Sequence, residues 1–172
     1  LADANIRQGA SVALAKQGPA AVAALRKSLT SDNPDLRVWS AFTLGEIGPA
    51  ANSAVADLTE TLTDTDLAIR GAAAEALGKM AAVSAVDALA NALSDENLNV
   101  RLRAAVALGR IGPPSAPATH KLISVLSDHN VRPVARKTLI RIGKSTVNVL
   151  VDAVGEDNVR FDILVVLRKV DP

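Results

Sequence analysis

The sequence predicts an all-α fold, a right-handed α-solenoid (superhelix) of about five to six two-helix repeats, and three observations carry that expectation. Arg follows an aliphatic residue at Ile6-Arg7, Leu36-Arg37, Ile69-Arg70, Val100-Arg101, Val131-Arg132 and Val159-Arg160, with spacings of 30, 33, 31, 31 and 28 residues. A leucine stands seven places after each of these Arg residues, at Leu14, Leu44, Leu77, Leu108, Leu139 and Leu167. Self-similarity at such a period marks a stack of supersecondary units. The third observation is composition: 49% of the 172 residues are hydrophobic, but only 2% are aromatic. Ala takes 32 positions, and the rings are Trp39, Phe42 and Phe161. A core without many rings must close-pack Ala, Leu, Val and Ile, and Ala and Leu favour helix.

Each unit reads as an Arg-bearing helix followed by a second helix. The helices are expected over 4–16, 20–30, 35–47, 50–62, 66–80, 83–93, 98–111, 115–126, 129–142, 144–154 and 157–169. Within 35–47, Leu36, Ser40, Leu44 and Ile47 recur at three- and four-residue steps, a helical stripe. Gly18, Gly48, Gly112 and Gly143 stop the Arg-bearing helices, and Pro19, Pro49 and Pro113 follow three of them. Gly accepts a left-handed cap, and Pro fits the first position of the next helix but cannot continue the finished one. Within 50–62, Val55, Leu58 and Leu62 share one face. Polar turns close the second helices at Thr30-Ser31-Asp32, Thr63-Asp64, Ser94-Asp95 and Ser127-Asp128, where the side chains should cap the next helix.

The resulting units are 1–18, 19–48, 49–81, 82–112, 113–143 and 144–172, a single array over 1–172. The last two depart from the pattern, with Ile140 and Arg168 where Gly45, Gly78 and Gly109 stand earlier. One pair cannot bury its apolar face alone, so the pairs must stack. The first helix has no partner before it and the chain begins Leu-Ala-Asp, so the array reads as a fragment of a longer chain.

Several function classes are disfavoured. Net charge is +1, from 19 basic and 18 acidic residues. Residues 1–86 carry −2 and residues 87–172 carry +3, a mild gradient rather than the strongly basic face that nucleic acid usually requires. No apolar run of membrane-spanning length lacks a charge. Zero Cys excludes a disulfide framework, a thiolate nucleophile and a zinc-thiolate site. That absence fits cytoplasm or periplasm, and cytoplasm is the working expectation. His120 and His129 form no metal-binding spacing, and no Gly-rich phosphate loop, Ser-His-Asp set or carboxylate pair stands out. No cofactor, metal or catalytic residue is expected, and the sequence leaves the oligomeric state open.

The strings DLAIRGAAAEALGKM (66–80) and NLNVRLRAAVALGRIG (97–112) resemble HEAT repeats of the short bacterial type, called PBS-lyase-like or E-Z type, an armadillo-like helical fold. The resemblance covers essentially the whole chain and specifies fold far better than function. It implies that the Arg-bearing helix lines the concave face, with the first, second, fifth and ninth residues after each Arg exposed. The partner-binding face so implied comprises Val38, Trp39, Phe42, Glu46, Glu75, Leu102, Arg103, Val106, Arg110, Val134, Lys137, Arg141 and Phe161. Gly71, Ala72, Lys79, Pro133, Asp162, Val165 and Lys169 share its register. All three aromatic residues fall in this set. Burying a ring is worth about 1.5–3 kcal/mol, so rings withheld from the core point to a ligand that covers them.

The recurring Arg residues are expected to be structural. Each should span neighbouring units, bonding turn carbonyls or a nearby Asp: Asp32 with Arg37, Asp64 with Arg70, Asp95 with Arg101, Asp128 with Arg132. The leading functional reading is a non-enzymatic protein-interaction scaffold whose protein or peptide partner is acidic. The alternative is a phycobilin-lyase-like chromophore-binding subunit, with Arg103, Arg110 and Arg141 beside Trp39 on a carboxylated tetrapyrrole. Nucleic-acid binding, as in HEAT-like DNA glycosylases, ranks third because Glu46 and Glu75 oppose it.

Overall fold

The computed structural model describes residues 9, 11, 13, 14, 16–155 and 158–170, and no strand occurs among them. Its α-helices are α1 (Pro19–Ser28), α2 (Pro34–Ile47), α3 (Val55–Thr61), α4 (Leu67–Lys79), α5 (Val86–Ala92), α6 (Leu98–Ile111), α7 (Thr119–Ser124), α8 (Arg132–Ile142), α9 (Val147–Ala153) and α10 (Arg160–Val170). The helix expected over 4–16 lies largely outside the described residues; positions 9, 11, 13, 14 and 16 are helical.

Contacts divide the chain into two compact units, residues 1–85 and 86–172. Each has two layers. In the first, the Arg-bearing helices α2 and α4 pack along each other, α1 packs on α2, and α3 packs on α4. In the second, the Arg-bearing helices α6, α8 and α10 lie side by side, and α5, α7 and α9 form the other layer. The leucines of the repeat register hold the layers together: Leu44, Leu77, Leu108 and Leu139 are fully buried. Leu14 is 37% exposed and Leu167 half-buried, so the register weakens at its two extremes.

Glycine does two jobs. Gly48, Gly112 and Gly143 take φ of +69°, +74° and +81° at helix ends, and each donates its N–H to the leucine carbonyl four residues back. The third unit has no Gly there, and Ala81 adopts φ +52° instead, with Ala82 N–H reaching the Leu77 carbonyl at 3.0 Å. The earlier glycines permit close approach. A Cβ on Gly45 would lie 2.8 Å from Ala76 Cα, and one on Gly109 would lie 2.8 Å from Thr138 Oγ1. Thr138 itself donates to the Ala105 carbonyl at 2.8 Å, linking α8 to α6.

Three expectations need correction. The second helices expected over 50–62, 83–93, 115–126 and 144–154 begin as 3-10 turns at Gly48–Ala54, Val83–Ala85, Pro113–Ala118 and Gly143–Thr146. Pro49, Pro113, Pro114 and Pro117 supply no N–H, and the tighter i+3 bonding of a 3-10 turn suits such connectors. The caps also stand further along than expected: Asn33, Asp66 and Asn97 accept from the N–H groups of Asp35, Ala68 and Asn99 at 2.9, 2.8 and 2.9 Å. Asp64, Asp95 and Asp128 instead bond the N–H two residues on, forming the turn that precedes each helix.

The third correction concerns the repeat Arg. Arg37 donates to its own turn through the Ser31 carbonyl at 2.7 Å, but its carboxylate partner is Asp64, at 3.0 and 3.4 Å, not Asp32. Arg101 takes the carbonyls of Asp95 and Glu96 at 2.9 and 3.0 Å, and its carboxylate partner is Asp128 at 3.1 Å. Arg132 takes the Leu126 carbonyl at 2.7 Å and lies 3.6 Å from Asp162. Arg70 bonds the main-chain carbonyls of Asp64 and Thr65. For Arg37, Arg101 and Arg132 the guanidinium therefore joins its own turn to a carboxylate of the following repeat. A planar head with five donors suits that double task.

Candidate functional site

The outward side chains of the Arg-bearing helices form one face in each unit. In the first unit, α2 presents Val38, Trp39, Phe42 and Glu46, and α4 presents Glu75 and Lys79. Val38, Trp39 and Phe42 are half-buried and Glu46 is exposed. Trp39 meets Phe42 edge-to-face, ring centroids 5.6 Å apart at 79°. Lys79 Nζ stands 4.9 Å from the Phe42 ring centroid, 2.6 Å from Glu46 and 2.8 Å from Glu75. A cation over a ring face is attracted by its quadrupole. Burial opposes the Lys79 charge, but the hydrogen bonds and charges of Glu46 and Glu75 outweigh it and hold the ammonium pKa above the ordinary lysine value. Trp39 also lines a cavity of about 340 Å³ with Leu14, Leu25 and Leu36.

In the second unit the face is apolar and basic. Val106 is 36% exposed and Phe161 is 73% exposed, whereas Leu102 and Val134 are half-buried. Arg103, Arg110, Lys137 and Arg141 are all exposed. Asp162 departs from the expected register. It is buried, held by Arg136 at 3.1 Å and near Arg132 at 3.6 Å. A carboxylate flanked by two guanidinium groups can leave water, because the charge pairing offsets desolvation. Gly71 and Ala72 are likewise buried rather than outward.

Periodicity placed Lys79 on the outward register without revealing its role. Its partner Glu46 lies 33 residues earlier, the same step that separates Arg37 from Arg70, so equivalent places of successive repeats meet side by side. Arg136 lies four places after Arg132, outside the outward register, so its spacing carries no signal for the pairing with Asp162.

His120 and His129 are exposed, and no group of three or more His, Cys, Asp or Glu residues comes together among the described residues. No helix among them is long and apolar enough to cross a membrane.

A family profile described as HEAT repeats matches residues 1–77, 22–97, 55–129 and 86–168. No curated protein matches the sequence. Among solved structures, an engineered protein is similar at 24% identity and a TM-score of 0.64, over 94% of this chain and 89% of that one. A second engineered protein is similar at 22% identity and a TM-score of 0.67, over 95% and 91%. The complex of CpcE and CpcF of phycocyanin lyase from Nostoc sp. PCC7120 is similar at 24% identity and a TM-score of 0.65. That likeness covers 86% of this chain and 64% of that chain. At these identities the likenesses concern the fold.

Proposed function

The chain belongs to the HEAT-repeat family, and on that premise we propose that it is a non-enzymatic scaffold binding a protein segment on the exposed faces of its Arg-bearing helices. One observation carries the reading. Val106 and Phe161 stand exposed on these helices, whereas Leu44, Leu77, Leu108 and Leu139 of the repeat register are wholly buried. Exposed apolar groups rimmed by charge suit a protein interface, and Trp and Arg are frequent hot-spot residues there. Val38, Trp39, Phe42, Glu46 and Glu75 would contribute in the first unit. Leu102, Arg103, Val106, Arg110, Val134, Lys137, Arg141 and Phe161 would contribute in the second. Its cations favour an acidic partner.

The test is affinity capture followed by mass spectrometry, comparing wild type with the double variant Trp39→Ala, Arg110→Glu. A partner lost from the double variant but retained by Asn52→Glu, an exposed position outside these helices, supports the reading. Equal retention by all three proteins refutes it.

A second reading, a phycobilin-lyase-like chromophore-binding subunit, is favoured by the fold likeness to the CpcE and CpcF complex. Arg103, Arg110 and Arg141 would then face carboxylates of a bilin. Mixing the protein with free bilin separates the readings: an induced absorption shift supports the second, and an unchanged spectrum leaves the first. Nucleic-acid binding ranks below both, and a low-salt anisotropy titration without salt-dependent binding removes it.

A further inference from the structure

The three Arg-bearing helices of the second unit each carry an exposed cation at their penultimate residue: Arg110 in α6, Arg141 in α8 and Lys169 in α10. Because these helices lie side by side, the cations form a row with one rung per helix. Packed helices stand about 8–10 Å apart, axis to axis, which sets the spacing of the rungs. One helical turn before each rung come Val106, Lys137 and Val165, so the middle rung is doubled and the outer two are flanked by aliphatic groups.

A helix dipole favours a cation in the last turn, which accounts for the sign at any one helix. It does not fix the residue, since the equivalent place near the end of α2 holds Glu46. Nor does it explain the lack of counter-charges among the described residues. Across α6, α8 and α10 the lone carboxylate is Asp162, already engaged by Arg136 and Arg132. Asp95, Glu96 and Asp128 belong to the turns before α6 and α8, at the opposite helix ends, and Asp87 and Asp152 lie in the other layer. Arg110, Arg141 and Lys169 thus form no ion pair among the described residues.

We propose that this row receives an acidic segment of a partner protein in the polyproline II conformation, with a carboxylate at every third residue. The proposal rests on the scaffold reading. Polyproline II has three residues per turn and rises about 3.1 Å per residue, so every third side chain returns to one face after about 9.3 Å. That step matches the helix spacing. A β-strand returns to the same face after about 6.6 Å and falls out of step by the second rung. A polyproline II backbone also leaves apolar Pro or Ala side chains free to lie on Val106 and Val165. Nucleic acid fits less well, because Val106 and Val165 beside the outer rungs are aliphatic and offer no ring on which a base stacks.

The full chain is titrated at low salt with two labelled twelve-residue peptides of identical composition. One is Glu-Pro-Ala repeated four times; the other is Glu-Pro-Glu-Ala-Pro-Ala repeated twice. The period-three peptide should bind roughly tenfold more tightly. Arg141→Glu should weaken it roughly fivefold and Arg110→Glu with Arg141→Glu roughly 25-fold, the scale expected for exposed ion pairs. Lys121→Glu, an exposed cation on α7 in the other layer, should leave affinity unchanged, and Arg141→Ala should show a smaller loss in the same direction. Far-UV spectra confirm that each variant is folded. Equal binding of the two peptides, tighter binding of a twelve-nucleotide single strand, or an equal loss from Lys121→Glu would overturn the proposal. If neither peptide binds while partner capture still depends on Trp39 and Arg110, the row assignment falls and the scaffold reading stands. If capture ignores those residues, both fall.

Discussion

Replacing Arg37 with Ala removes one side chain that ties two repeats together. Its Nη1 donates to the Ser31 carbonyl at 2.7 Å, fixing α2 to its own preceding turn. Its Nε and Nη2 reach the Asp64 carboxylate at 3.0 and 3.4 Å, fixing α2 to the turn before α4. The pair is largely shielded, with side chains 17% and 16% exposed. An exposed ion pair contributes about 0–1 kcal/mol, and breaking a fully buried one costs about 3–5 kcal/mol. Two-point geometry at this burial places the Arg37–Asp64 pair between, at about 1.5–2 kcal/mol. The Ser31 carbonyl also loses a donor, at about 0.5–1.5 kcal/mol. Arg37→Ala should therefore cost about 2–3.5 kcal/mol and lower the melting temperature by about 4–14 °C in a chain of this size. Arg37→Lys keeps the charge but cannot span Ser31 and Asp64 together, so it should recover less than half. Thermal and urea melts followed by far-UV circular dichroism measure the loss, and a double-mutant cycle with Asp64→Ala isolates the pair. A melting temperature within about 1 °C of wild type, or a cycle with no coupling, refutes a structural role for the repeat Arg.

Three further outcomes follow from the same packing. Gly45→Ala should destabilise by about 1–2 kcal/mol in a urea melt, because a Cβ 2.8 Å from Ala76 Cα forces α2 from α4 and outweighs the roughly 1 kcal/mol gain in helix propensity. Ala81→Gly should act oppositely, stabilising by about 0.5–1 kcal/mol, since it relieves a left-handed alanine that costs about 1–2 kcal/mol while adding some freedom to the unfolded chain. For Asp128, the hydrogen bond from Asn130 N–H, followed by the Arg101 guanidinium, outweighs desolvation and holds the carboxyl below its usual range. A pKa depressed in the folded state gives stability that is present above the unfolded value of about 3.9 and is lost as pH falls through the folded value. The melting-temperature difference between wild type and Asp128→Asn should thus be present at neutral pH and vanish in acid; a difference that persists unchanged contradicts the pairing.

The sequence made the repeat legible because its strongest constraints are local. Leu44, Leu77, Leu108 and Leu139 are the same residue type at the same register, and the fold buries all four. Gly48, Gly112 and Gly143 announce left-handed caps that few other residues adopt, although Ala81 shows that an unmarked position can adopt one. The 3-10 starts were less legible, yet Pro113, Pro114 and Pro117 carried a signal in their missing donors. Pairing between repeats was the hardest to read. Asp32 is nearer to Arg37 in sequence, but Asp64 is its partner, because the packing of α2 on α4 decides which turn faces the guanidinium. Asp162 illustrates the same limit for the outward face. Its register points it outward, whereas Arg132 and Arg136 on the neighbouring helix draw it inward. Register names the face, and the adjacent helix decides which residues remain open on it.

Site-specific photo-crosslinking tests the central proposal most directly. A benzoylphenylalanine is placed at Val106 on α6 in one protein and at Asn148 on α9 in another, both exposed positions in opposite layers of the second unit. After irradiation in the presence of the captured partner, the adduct should form from position 106 and be absent from position 148. An adduct from position 148 with none from position 106 would contradict partner binding on the Arg-bearing helices.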